Sequence, residues 1–265
     1  MKNSFFNPNL RLLLVRRIRL NAREWASPNL AAPYWRWYWN AQLGATVVLA
    51  GRETPLRPDQ FMLIPPDTPF RGRVTGLPHH LYCHFLADPP YDAAPPAVYV
   101  FPARPLGLGL ARRLAVLRDE PATLRERSLL ALTLVHGALT QVPESVLAAP
   151  PDDPHILRVL RHLQDRSAWP VANEAMARVA GMSTNAFIRL FRMRTGLTPQ
   201  AYHTRKRIEH ACLELHGGWL AIEEIALRAG FRDRYHFSRV FKRLRGIGPA
   251  AFRRQSGGGR ADAPA

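Results

Sequence analysis

The sequence predicts two domains of opposite character: an N-terminal all-β sandwich or barrel followed by helices, and a C-terminal all-α domain with two helix-turn-helix units. Three observations predict it. Short β-rich runs recur at roughly ten-residue intervals through the first hundred residues, a proline-rich acidic break follows residue 142, and a helical motif repeats itself 49–50 residues apart beyond that break. A length of 265 residues fits one large domain or two ordinary ones.

The β-rich runs are Leu12–Leu20, Pro33–Asn40, Thr46–Ala50, Gln60–Ile64, His80–Phe85 and Val98–Phe101, punctuated by Gly, Pro and Asp. The texture then changes. Leu106–Arg118 and Leu124–Gln141 contain no internal proline and read as helices. The second is apolar on most sides around Leu129–Val135, so it should be buried, against the sheet or a second subunit. Pro143, Pro150, Pro151, Asp152, Asp153 and Pro154 mark a linker over residues 143–153. Helix resumes at Pro154, with proline in the first turn, and a glycine-rich tail, residues 257–265, is expected to be disordered. The expected domains are therefore 1–142 and 154–256.

Charge and cysteine content narrow the function classes. Lys and Arg number 37 against 20 Asp and Glu, a net +17. Residues 1–150 hold 17 basic and 10 acidic residues, net +7; residues 151–265 hold 20 and 10, net +10 over a shorter length. Such a balance favours a polyanionic partner, although arginine-rich codon usage alone also produces it. A 47% hydrophobic content excludes a disordered chain. Two cysteines, Cys83 and Cys212, exclude a disulfide scaffold and a tetra-cysteine zinc site. The apolar run Leu12–Val15, flanked by Arg11, Arg16 and Arg17, is too short and too charged for a signal peptide or a membrane span. A soluble cytoplasmic protein without membrane association is the expectation.

The repeat carries the most information. Ala177, Gly181 and Met182 recur 49 residues later as Ala226, Gly230 and Phe231. Ser183, Phe187, Arg189, Phe191, Gly196, Pro199 and Tyr202 recur 50 residues later as Asp233, Phe237, Arg239, Phe241, Gly246, Pro249 and Phe252, with Arg232 the extra residue. In each copy a small residue four before a glycine lets two helices cross closely at a tight turn, and Ser183 or Asp233 can cap the second helix. Phe187, Leu190 and Phe191 form the inward stripe of one second helix; Phe237, Val240 and Phe241 form that of the other. Asn185, Ile188, Arg189 and Arg192 point outward in the first copy, and Arg234, Tyr235, Ser238, Arg239 and Lys242 in the second. A plain helical bundle with a solvated basic face is the alternative for either copy alone; two matched copies favour DNA reading. Pro199–Leu215 has no helix breaker and would extend ~25 Å, a rod able to hold two recognition helices roughly one DNA turn, ~34 Å, apart.

The segments AGMSTNAFIRLFRMRTGLTPQAY and IEEIALRAGFRDRYHFSRVFKRLRGIGPAAFR resemble the DNA-binding domain of the AraC/XylS transcriptional regulators, over about residues 155–254. The resemblance implies two helix-turn-helix units joined by a long helix. It implies base contacts from Thr184, Asn185, Ile188 and Arg189 in the first unit, and from Arg234, Tyr235, His236 and Arg239 in the second. Arg bidentate to guanine and Asn bidentate to adenine are the expected pairings, with Ile188 limited to apolar contact such as a thymine methyl. At Tyr235 and His236 the chain departs from the commoner family pattern. Arg192, Arg205, Lys242 and Arg243 are the expected phosphate contacts, which position without specifying.

Upstream, LRPDQFMLIPPDTPFRG followed by HHLYCHF resembles the cupin-like sensor domain of the same family, with Asp59 where glycine is usual and Phe70 where histidine is frequent. That resemblance implies a ligand-sensing barrel, a sugar or related metabolite as effector, and dimerisation through the helices of residues 106–141. Alternation along a strand places His80, Tyr82 and His84 on one face and Leu81, Cys83 and Phe85 on the other. Trp35, Trp37 and Trp39 share a face, opposite Arg36 and Tyr38. An aromatic platform with a few polar groups suits a carbohydrate or an aromatic acid, and His80, Tyr82, Trp37 and Arg36 are the candidate ligand residues; the alternative for the tryptophans is simply to fill a small barrel. No histidine lies between Gly44 and Phe70, and no carboxylate follows the later histidines at metal-ligand spacing, so no metal site, catalytic residue or cofactor is expected.

The reading is thus a non-enzymatic transcriptional regulator with duplex DNA, a small-molecule effector, RNA polymerase and a second copy of itself as partners. A cupin-type enzyme with a basic appendage and a nonspecific architectural DNA binder are the alternatives from other classes.

Overall fold

The computed structural model describes residues 10–21, 25, 31–87, 90–147, 153–163, 170–217 and 220–255. They fall into two compact units, Met1–Ala148 and Ala149–Ala265. Part of the expected linker, residues 148–152, and the expected tail lie outside the described residues.

The first unit holds eight strands among those residues: β1 (Leu10–Arg19), β2 (Trp35–Asn40), β3 (Ala45–Leu49), β4 (Arg52–Pro55), β5 (Gln60–Ile64), β6 (Arg71–Val74), β7 (His79–Ala87) and β8 (Tyr99–Pro102). All pairs are antiparallel. One sheet has five strands in the order β1-β7-β2-β5-β8, the other three in the order β4-β3-β6. The sandwich or barrel expected from the sequence is thus present as two sheets that do not join into a closed barrel. Each of the edge strands β4 and β8 is four residues long and ends in a proline, Pro55 and Pro102, which has no N–H to donate.

Two strands, β4 and β6, are absent from the sequence reading. The turn between β3 and β4 is Ala50–Gly51, with both residues at positive φ (48° and 83°). That is the backbone of a tight hairpin turn, for which Asn-Gly is the usual signal; alanine at its first position hides it. Arg71–Val74 is short and polar, so it shows no apolar alternation.

Strict alternation gives the five-stranded sheet two unlike faces. Trp35, Trp37, Trp39, Phe61, Leu63, Leu81, Cys83 and Phe85 lie on one face and form a core with helices α1 (Pro105–Val116) and α2 (Leu124–Leu139). Helix α2 contributes Ala131, Leu134, Val135, Ala138 and Leu139, leaving Leu124 and Leu129 exposed. Arg127, buried in α2, donates to the Val15 carbonyl (2.9 Å) and pairs with Asp119, fastening the helix to β1. The opposite face of the sheet, with Tyr38, Met62 and Ile64, packs on Ala45 and Val47 of the smaller sheet, together with Leu56 and Phe70. Each large side chain buried this way contributes roughly 1.5–3 kcal/mol of transfer free energy.

The second unit is helical: α3 (Pro154–His162), α4 (Asn173–Ala180), α5 (Thr184–Thr195), α6 (Pro199–Gly217), α7 (Ile222–Arg228), α8 (Arg234–Arg245) and α9 (Pro249–Gln255). Asp153 caps α3 by accepting from the His155 and Ile156 amides (2.9 and 3.4 Å). There are two cores. Ile156, Val159, Met176, Ala177, Phe187 and Phe191 build the first, and Ile208, Cys212, Ile225, Ala226, Phe237, Phe241 and Phe252 the second. The repeat is visible in the ring geometry. Phe187–Phe191 and Phe237–Phe241 both have centroids 5.5 Å apart, while Phe191–Tyr202 and Phe241–Phe252 pack at 5.5 and 5.4 Å with the same 76° between planes.

Helix α6 belongs to both cores. Gln200 donates to the Val171 carbonyl (2.8 Å) in the first half. Arg207, 9% exposed, donates to the Ala229 carbonyl (2.6 Å) in the second, with its guanidinium 4.1 Å from the Phe231 ring centroid. Between them His203 is fully buried, and burial followed by the charge of Arg207 pushes its pKa down to about 4. The joining helix is thus fixed to both units by polar bonds in low-dielectric surroundings, where they are strong and costly to break.

Candidate functional site

Each helix-turn-helix is built the same way. Ala177 and Ala226 are buried at the crossing, and Gly181 and Gly230 turn the chain at φ 67° and 74°, the left-handed region that strains any residue with a Cβ. The caps differ. Asp233 accepts from the His236 amide (2.7 Å), and that bond holds its carboxyl below the ordinary value. Ser183 has extended N-cap geometry but makes no side-chain bond, so the capping role expected for it is not realised.

The phenylalanine stripes fix which face of each second helix is free. On α5, Asn185, Arg189 and Arg192 are exposed; Thr184 and Ile188 are half-buried, and Ile188 packs against the core. On α8, Arg234, Tyr235, His236, Arg239, Lys242 and Arg243 are all exposed. Tyr235 is 82% exposed, a large ring held in water. The His236 ring leans on Phe231 with centroids 5.5 Å apart, which restricts its reach. Arg205, on α6, is occupied: its Nε lies 3.1 Å from Glu209, which Lys206 also pairs at 3.1 Å. Burial raises the pKa of Glu209, but Lys206, Arg205 and Arg245 more than reverse this and keep it ionised. Sequence reasoning passed over Arg232, whose side chain is 95% exposed beside the start of α8. Its position as the one extra residue of the second copy was the available signal.

In the N-terminal unit the candidate ligand residues separate. Arg36, His80 and Tyr82 lie on the sheet face toward the smaller sheet. Trp37 lies on the other face, fully buried among the helix-packing residues, its Nε1 without a hydrogen-bond partner among the described residues. Of the three that remain together, His80 and Tyr82 belong to a continuous ring array. Trp25 lies 5.0 Å from His80, His80 5.3 Å from Tyr82, Tyr38 4.8 Å from His80, and Tyr34 4.6 Å from His84. His80 Nδ1 lies 2.7 Å from Asn40 Oδ1, and burial pushes the imidazole pKa down to about 3, so it is neutral at pH 7. Burial likewise raises the Tyr38 hydroxyl to about 12. Arg36, 1% exposed, donates to the Thr68 carbonyl (2.8 Å) and stands 4.7 Å over the Phe70 ring. Alternation places Tyr38 beside Arg36 without making it a ligand candidate, and the same alternation places Asn40 on that face.

The family model described as a helix-turn-helix domain matches residues 176–255. Among curated proteins, the chain is 38% identical over 104 residues to the HTH-type transcriptional regulator GlxA of Rhizobium meliloti, covering 39% of this chain and 32% of that one. It is 32% identical over 136 residues to the HTH-type transcriptional activator RhaS of Salmonella arizonae, covering 51% and 48%. The chain thus spans less than half the length of these curated relatives. Among solved structures it superposes on ToxT of Vibrio cholerae with a TM-score of 0.52 at 11% identity, covering 94% of this chain and 98% of that one, which shows a shared two-domain fold. ToxT solved with an unsaturated fatty acid bound gives the same TM-score at 10% identity, covering 96% and 97%. No helix among the described residues is long and apolar enough to cross a membrane. The repeated helix pairs, their matched ring geometry and these similarities agree: residues 176–255 carry a helix-turn-helix domain similar to those of the transcriptional regulators GlxA and RhaS.

Proposed function

We propose that this protein is a sequence-specific DNA-binding transcriptional regulator controlled by a small molecule at its N-terminal unit. The observation that carries the reading is the pair of recognition helices, α5 and α8, built on superposable phenylalanine cores and each presenting arginine outward. Asn185, Arg189 and Thr184 on one, and Arg234, Tyr235 and Arg239 on the other, are assigned to base edges; Ile188 and His236, both held against the core, contribute at the margin. Arg192, Lys242 and Arg243 are assigned to phosphates, and Arg205 joins them only by leaving Glu209.

The effector is assigned to the inner face of the five-stranded sheet. A neutral imidazole at His80 and the phenol of Tyr82 suit the hydroxyls and flat C–H faces of a sugar or related metabolite. Arg36 supplies a positive charge there, within electrostatic reach of Asp67, and Trp37, on the opposite face, is not used in this reading. A small-molecule effector is supported by ToxT, which shares the fold and has been solved with a fatty acid bound. A second copy pairs through the α1–α2 layer, where Leu106, Leu124 and Leu129 remain exposed. At the promoter RNA polymerase is the partner, the compartment is the cytoplasm, and the protein carries out binding without a catalytic step.

Selection of bound fragments from a random duplex pool, with full-length protein at fixed salt, tests the reading. An enriched consensus that shifts in occupancy on adding the effector is the expected outcome; retention of the random composition would refute sequence-specific reading.

A further inference from the structure

The face of the five-stranded sheet that carries the helices holds a half-open cavity of about 220 Å³, between the strands and the C-terminal turn of α1. Its apolar part is Trp39, Leu81, Ala115 and Val116. Register brings the rest together. Arg17 is paired opposite Leu81 on β1 and β7, Trp39 opposite Leu81 on β2 and β7, and His79 follows two residues before Leu81 on the same face. Ala41, Arg17, Arg112 and His79 complete the lining, and no carboxylate is among the lining residues.

The polar groups are incompletely used. Arg17 Nη1 donates to the Ala115 carbonyl (2.8 Å), which fastens the end of α1 to β1 and leaves the guanidinium charge without a carboxylate partner among the described residues. His79 Nδ1 is buried with no hydrogen-bond partner among the described residues. Arg112 is exposed on α1 at the same cavity. Two guanidiniums and an underused imidazole around an apolar floor describe a site for an amphiphile with a negative end. Charge-assisted hydrogen bonds would hold the anion while the ring or chain displaces water from Trp39.

We propose that this cavity binds a small organic monoanion, an aromatic or short aliphatic carboxylate, separately from the inner-face effector site. The volume lies below the range of roughly 300–1,000 Å³ that takes drug-sized ligands, so a single-ring acid is the fitting size. The two sites lie on opposite faces of one sheet: Leu81 and Trp39 face the helices, while His80 and Tyr82 face the smaller sheet. The inference does not depend on the regulator reading, because it concerns only what the cavity holds.

Phenylacetate is the probe, titrated into the full chain and followed by saturation-transfer NMR. Binding with a Kd on the order of 1 mM is expected for so small a ligand. Arg112→Ala should weaken it at least about fivefold, phenylacetamide should bind correspondingly worse, and Ala115→Trp, which fills the cavity, should abolish binding. Arg112 is exposed, so its variant keeps the test open should Ala115→Trp fail to fold. No binding at about 10 mM, equal binding of the amide, or indifference to both variants would overturn the proposal. Phenylacetate lost on Tyr82→Leu yet retained by Ala115→Trp would place the acid on the inner face and overturn it equally.

Discussion

The two helix-turn-helix units share a plan and differ in what they present. Both bury a Phe-x-x-x-Phe pair with centroids 5.5 Å apart, and both turn on a glycine at positive φ. Yet α5 offers Asn185 and a half-buried Ile188 beside Arg189, with Arg192 and Arg194 exposed in its last turn, whereas α8 exposes Arg234, Tyr235, Arg239, Lys242 and Arg243 along one helix. The second unit is also the one whose cap is bonded, through Asp233. Equal cores with unequal faces indicate that the fold of each unit is set by the repeat; on the proposed reading, base reading and phosphate attraction would then be divided unevenly between them.

The largest effects test the equality of the cores. Phe187→Ala and Phe237→Ala should each cost about 3–5 kcal/mol of stability in urea unfolding of the C-terminal unit. Values differing by more than the usual scatter for such sites would break the claim that the two cores are equivalent. Next come the faces. Arg189→Ala and Arg239→Ala should each weaken binding to the selected DNA site by roughly 1–3 kcal/mol and relax preference at one base position. An Arg239→Ala variant with an unchanged footprint would remove that contact from the account.

A smaller effect concerns the shared helix α6. His203 has an ordinary pKa of 6.5 and a folded value of about 4, so the unfolded chain binds its proton first. Its contribution to stability is full above pH 6.5 and is lost as pH falls toward 4. Replacement by glutamine should flatten that part of the stability profile of the C-terminal unit, and an unaltered slope would deny the buried neutral imidazole. Smallest is the capping difference. Asp233→Ala should lower the melting temperature measurably more than Ser183→Ala, because only the first removes a bond; equal shifts would erase the distinction.

The legible and illegible parts of the chain separate along physical lines. The repeat was readable because each copy needs the same small residue, glycine and phenylalanine pair at fixed spacing, and the phenylalanine periodicity by itself says which face of α5 and α8 is outward. The alternation of Trp35, Arg36, Trp37 and Tyr38 correctly separated the two faces of β2, but not which face meets the helices; that depends on packing partners seventy residues away. Strand β4 was hidden by an alanine in a positive-φ turn, and the open seam between sheets could not be seen because closure depends on hydrogen bonds between distant edges. The pairing of Arg205 with Glu209 lies at helical i,i+4 spacing and could have been read. The cavity over Trp39 could not, because it requires the β1–β7 register and the docking of α1 together.

The central claim is that two unlike recognition helices read one duplex in successive major grooves. The direct measurement is selection from a random duplex pool with the wild-type chain and with the Arg189→Ala and Arg239→Ala variants in parallel. The account predicts two blocks of base preference centred about one helical turn, roughly 10 bp, apart, with one variant erasing preference in one block and the other variant in the second. A single block of preference, or both variants altering the same base positions, would contradict it.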